Sequence, residues 1–97
     1  MENFLINYLS KRYKNFEFDM IENSIYIINE HYIKGVLNII EKNNYSDWKG
    51  RYLITEDDSY VAIDNSTGDC WCEEFENYQI ALDWLNGKFE VSEILLD

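Results

Sequence analysis

The chain has 97 residues, 19 acidic and 8 basic, for a net charge of −11. A chain of this length makes one domain, 1–97, which buries only ~60–65 % of its unfolded surface. Its 46 % hydrophobic and 16 % aromatic content excludes an intrinsically disordered chain, and its shortage of Lys and Arg argues against direct nucleic-acid binding, since phosphate is gripped by cations.

The first expected element is an amphipathic helix over 2–13, where Phe4, Leu5, Tyr8, Leu9 and Tyr13 recur at helical spacing. The next stretch supports two readings. Phe16, Phe18 and Met20 alternate with Glu17 and Asp19 as on a half-buried strand, and Glu22-Asn23-Ser24 can turn the chain into a second strand at 25–28. Ile21, Ile25, Ile28, Tyr32, Val36 and Ile39 equally suit one face of a long helix. From Asn29 onward a helix is expected, with Asn29 as N-cap and Asn43-Asn44 as its end. Gly35 within it costs about 1 kcal/mol relative to alanine.

Three strands follow, at 50–55, 60–64 and 69–75. Glu56-Asp57-Asp58-Ser59 forms the first turn and Asn65-Ser66-Thr67-Gly68 the second, with Gly68 free to take positive φ. Two short loops in succession make an antiparallel meander. Asn77 then caps a short helix at 78–85, which Asn86-Gly87 stops, and the tail 89–96 is apolar enough to pack back. The expected fold is a small α+β domain: N-terminal helices on one face of a three-stranded antiparallel β-meander, followed by a short C-terminal helix. Residues 1–49 read as mainly helical and neutral, 50–97 as a strongly acidic βββα unit.

No catalytic motif emerges. Cys70 and Cys72 put both thiols on one side of a strand, but zinc needs more ligands and the one imidazole is His31. No metal site and no cofactor are expected. Asp64-Asn65-Ser66-Thr67-Gly68-Asp69 starts like a calcium loop, yet its glycine is misplaced and the closing position is Phe75. His31 has no partner motif for nucleophilic catalysis and reads as a helix-surface residue. The glycosylation triplets at Asn44 and Asn65 read as loop chemistry. The N-terminus lacks a secretory pattern, no window is long and apolar enough to span a membrane, and the cysteines suit a reducing compartment. The expectation is a cytoplasmic protein, in a bacterial host cytosol, with no membrane partner and no enzymatic activity.

The charge has a location. Residues 1–55 hold seven basic and seven acidic residues; residues 56–97 hold twelve acidic residues and Lys88 alone, so the whole excess lies there. Lys11, Arg12 and Lys14 form a small basic spot near the N-terminus. In a meander, the first turn and the exit of the third strand share one end, which gathers Glu56, Asp57 and Asp58 with Glu73, Glu74 and Glu76. Six carboxylates at one rim repel one another, so they suit a cationic partner; the alternative is a solvated face without one. Tyr45, Trp48, Tyr60 and Tyr78 sit at loop or strand ends and are candidate aromatic anchors, Tyr60 and Tyr78 beside the acidic residues.

The run from Tyr60 to Phe75, YVAIDNSTGDCWCEEF, followed by ALDWL from Ala81 to Leu85, resembles a pattern in small proteins of Firmicutes phages and mobile elements. Proteins of that size, acidity and setting include anti-CRISPR inhibitors. The resemblance covers about 48–87 and rests on strand, turn and capping positions, so it transfers no binding residue. What it implies is an acidic nucleic-acid mimic that occupies the basic nucleic-acid channel or the PAM-reading groove of a CRISPR effector nuclease such as Cas9. The competing expectation is an immunity protein, antitoxin or phage accessory factor bound to another basic protein. Either a monomer or a homodimer is compatible with the pattern.

Overall fold

A computed structural model describes residues 3–21 and 24–88. The expected turn residues Glu22 and Asn23 and the tail 89–96 lie outside the described residues. Asn3 opens the first helix by accepting the Ile6 amide at 3.0 Å, and α1 runs Phe4–Arg12 with Leu5, Ile6 and Leu9 buried. The ambiguous stretch is a hairpin: β1 (Phe18–Ile21) and β2 (Ile25–Asn29) pair antiparallel. Its helix-like spacing misleads because Ile25 and Ile28 are both buried, one on each face of the sheet. A strand covered on both faces shows no clean alternation.

Asn29 ends β2 and accepts the His31 amide at 2.8 Å, starting a 3-10 turn (Glu30–Tyr32) that leads into α2 (Ile33–Lys42). Gly35 marks the crossing of α1 and α2. A Cβ there would stand 2.6 Å from Leu9 Cδ2 and 2.9 Å from Tyr13 Cε2, so the helices approach this closely only without it. A second 3-10 turn (Tyr45–Trp48) precedes the meander of β3 (Gly50–Thr55), β4 (Tyr60–Asn65) and β5 (Trp71–Phe75). The Asn77 side chain accepts the Ile80 amide at 3.0 Å to start α3 (Tyr78–Leu85), and Gly87 follows its end at φ +75.

The domain is α+β, with two corrections. The three-stranded antiparallel meander is part of a five-stranded mixed sheet in the order β1-β2-β3-β4-β5, because α2 carries the chain over so that β2 lies parallel to β3. Residues 1–49 therefore contribute two strands as well as helices. The helices also cover both faces rather than one. α1 and α2 pack with Trp48 on Ile28, Tyr52, Ile54 and Ile63, whereas Ala81, Leu82 and Leu85 of α3 pack on Ile25, Leu53 and Ala62. Alternation along β3 sends Tyr52 and Ile54 one way and Leu53 the other, so both sides of the strand need cover.

One end of the sheet is tied by neutral polar groups. Asn65, fully buried, donates to the carbonyls of Tyr45 at 2.8 Å and Trp48 at 3.2 Å and accepts the Cys70 amide at 3.0 Å. The buried Tyr52 hydroxyl accepts from Asn3 Nδ2 at 2.8 Å and shares its proton between the carbonyls of Trp48 and Lys49, at 2.9 and 3.0 Å.

Candidate interaction site at the acidic end of the sheet

The opposite end follows from the register. Asn29, Thr55, Tyr60 and Phe75 form the last row across β2 to β5. The next residues outward are Glu30, Glu56, Ser59 and Glu76. Ser59 joins two of the expected carboxylates: its hydroxyl lies 2.8 Å from Glu74 Oε2 and 3.2 Å from Glu56 Oε2. Asp57 and Asp58 are exposed on the β3–β4 turn, and Glu76 is exposed just beyond β5.

Glu73 does not join this rim. It pairs across from Ala62, two residues back from Phe75, and the strand alternation turns it to the α3 side while Glu74 faces the other way. Tyr60 and Tyr78 do come together, with ring centroids 5.6 Å apart in an edge-on contact, and Tyr78 is 39 % exposed. Trp48 is not an anchor: it is fully buried between α1 and the sheet, with Tyr52 5.7 Å from it, ring to ring. Tyr45 stays exposed, in edge contact with Trp48.

Glu30 was missed by the sequence reading. Its carboxyl is held above the usual glutamate range, first by lost solvation, then by the charge of Asp57 beside it, with Glu56 adding to the effect. It belongs to the half of the chain whose charges balance, so counting by halves hides it. The signal that could have found it is the β2–α2–β3 crossover, which makes the strands parallel and brings both their C-terminal ends to the same edge. Glu17 and Asp19 extend the acidic end past β2, lining a shallow groove with Ile27, Asn29 and Thr55. The basic spot borders this end on its α1 side, where Arg12 and Lys14 share a cleft with His31.

Ion pairing among the described residues leaves the rim alone. Among the described residues the two salt bridges are Arg51–Asp64 at 3.8 Å and Lys88–Asp83 at 3.4 Å, and neither includes a rim carboxylate. Asp83 is held below its usual range by the Gln79 amide and then by Lys88. Among the described residues no group of three or more His, Cys, Asp and Glu side chains has the geometry to hold a metal ion. Cys70 and Cys72 stand with their sulfurs 3.8 Å apart; burial, and then the neighbouring thiol, push Cys70 up to about 12. Cys72 is exposed. No described helix is long and apolar enough to cross a membrane.

Fold and site together define a small acidic α+β protein with a charged end and two aromatic rings beside it. No protein family, curated protein or solved structure matches the chain.

Proposed function

We propose that the protein is a non-enzymatic inhibitor that sets its acidic end against a basic, nucleic-acid-binding surface of another protein, the particular target being a CRISPR effector nuclease of the Cas9 type. One observation carries the proposal. Glu30, Glu56, Asp57, Asp58, Glu74 and Glu76, supplied by three separate parts of the chain, crowd one end of the sheet, and among the described residues none of them has a salt bridge. Such crowding costs stability in the free protein and is relieved by a partner's Lys and Arg.

The effect on the target is competition. Alternate side chains along a strand stand ~6.5–7 Å apart, close to the phosphate spacing of a nucleic-acid strand. Glu74 and Glu76 can therefore occupy successive phosphate positions of a channel built to hold a heteroduplex. Glu56, Asp57, Asp58 and Glu30 widen the contact, Glu73 meets cations on the α3 side, and Tyr60 with Tyr78 supplies an apolar anchor. Long-range attraction speeds the encounter and makes it salt-sensitive.

The test is DNA cleavage by a Cas9-type effector in the presence of the wild-type protein and of a variant with Glu56, Asp57, Asp58, Glu73, Glu74 and Glu76 changed to their amides. Inhibition is expected to vanish in the variant and to weaken at about 0.5 M salt, where the screening length is roughly 4 Å. Undiminished inhibition in both conditions overturns the mimic. If effectors are untouched while the wild-type protein, and not the variant, captures another basic protein from host lysate, the partner is of the immunity or antitoxin kind.

A further inference from the structure

Cys70 and Cys72 point the same way. Cys72 pairs across from Ile63 on the α1–α2 side of the sheet, and Cys70, just before β5, packs against the core on that side. Trp71 between them turns to the α3 side. The two sulfurs stand 3.8 Å apart, and the Cys72 sulfur is also 3.6 Å from the Cys70 carbonyl oxygen. Cys70 is fixed by its backbone. Its φ of +53 lies in the left-handed region that residues other than glycine seldom adopt, and its amide donates to the buried Asn65 side chain at 3.0 Å. Cys70 is half-buried and Cys72 exposed, so one thiol is held and the other is reachable from solution.

The separation decides between two uses of the pair. A disulfide needs its sulfurs at ~2 Å, and alternate residues of a strand stand ~6.5–7 Å apart at Cα, at or past the upper end of what that bond spans. Closing it asks for a backbone shift that the Asn65 bond opposes. Two thiolates about 2.3 Å from one metal ion stand roughly 3.8 Å apart at the tetrahedral angle and about 4.6 Å apart in line. The pair already has the span of a metal clamp. Zinc asks for four ligands and this pair supplies two, with no third His, Cys, Asp or Glu grouped with it among the described residues. Monovalent copper is soft, prefers thiolate, and takes two or three sulfur ligands. The net charge of −11 favours a cation over an anion at the surface.

We propose that Cys70 and Cys72 form a clamp for a monovalent thiophilic metal ion, Cu(I), which passes to the exposed Cys72 sulfur from a small thiol carrier and is then bridged by Cys70. Each cysteine sulfur exchanges its proton for a bond to copper, and the two protons go to the carrier thiolates that copper leaves. Copper keeps its oxidation state, so the step needs neither oxidant nor reductant. The clamp lies at the neutral end of the sheet, beside Asn65, and is independent of the acidic-end proposal.

The experiment competes the reduced protein, kept free of oxygen, against a coloured Cu(I) chelator, and follows amide shifts in the isotopically labelled chain. The wild-type chain is expected to take one copper ion per molecule from the chelator, with shifts centred on 70–72. Cys72→Ser, at an exposed position, keeps the fold, which its amide spectrum checks, and should lose at least about tenfold in affinity. Cys70→Ser should lose as much. Copper left on the chelator by the wild-type chain overturns the clamp. So does undiminished retention in either serine variant, or shifts centred on 56–58, which place copper on the acidic end instead. Equally tight retention of Zn(II), an ion that asks for four ligands, overturns the two-sulfur assignment.

Discussion

The two ends of the sheet are built on opposite principles. At one, Asn65 and Tyr52 are buried, uncharged, and bonded to backbone groups of the chain that enters β3 and leaves β4. At the other, carboxylates lie at or near the surface, and Ser59 is the side chain that links two of them. A buried neutral network stabilises because each group has a partner and none carries a full charge to desolvate. A surface cluster of like charges does the reverse, since each carboxylate repels its neighbours. Under the proposed function, stability and recognition fall at opposite ends of the same strands.

The sharpest way to break this contrast is Asn65→Ala, which strips a partner from the buried Trp48 carbonyl, the half-buried Tyr45 carbonyl and the Cys70 amide. It should cost about 2–4 kcal/mol, read as a shift in the urea midpoint, whereas Asp58→Asn at the other end should stay within about 0.5 kcal/mol. Equal effects would erase the distinction. Tyr52→Phe should cost about 1–2 kcal/mol by leaving Asn3 and two carbonyls without the hydroxyl. Gly35→Ala, although better for an isolated helix, should lose about 1–3 kcal/mol because the methyl enters the α1–α2 contact.

A smaller effect lies in pH. Glu30 titrates higher in the folded chain than in the unfolded one, so the folded state binds more protons in between. Its contribution is therefore least unfavourable at low pH, and stability falls as pH rises from the ordinary glutamate range through the raised folded value. Glu30→Gln should flatten that part of the stability–pH curve, measured by urea unfolding between about pH 4 and 7. Asp83 has the opposite sign: its lowered value stabilises above the ordinary aspartate range and is lost as pH falls. The smallest expected difference is chemical. Iodoacetamide at about pH 8, below the ordinary thiol range, should modify exposed Cys72 before Cys70, as peptide mapping by mass would show.

Local chemistry made much of this molecule legible. Asn3, Asn29 and Asn77 lie at helix starts, and the four-residue turns around Asp57 and Thr67 join strands, because capping and turning depend on a few neighbouring residues. The meander rule then placed Glu56, Asp57, Asp58, Glu74 and Glu76 at one end. It failed for Glu73, whose side is set by strand parity, and for Trp48, which the second 3-10 turn buries under α1. Glu30, Glu17 and Asp19 escaped because they reach the acidic end through pairings distant in sequence.

The charge excess, its concentration after Thr55, the caps, the turns and the three meander strands were fixed by sequence alone, since each depends on composition or near neighbours. Only the tertiary structure decided that β1 and β2 pair antiparallel, that β2 lies parallel to β3, and that α3 covers the face opposite α1 and α2. Those outcomes depend on which apolar surfaces find cover once the whole sheet exists. The parallel pairing also brought Glu30 from the neutral half of the chain to Asp57, so the acidic end is a product of topology as much as of charge.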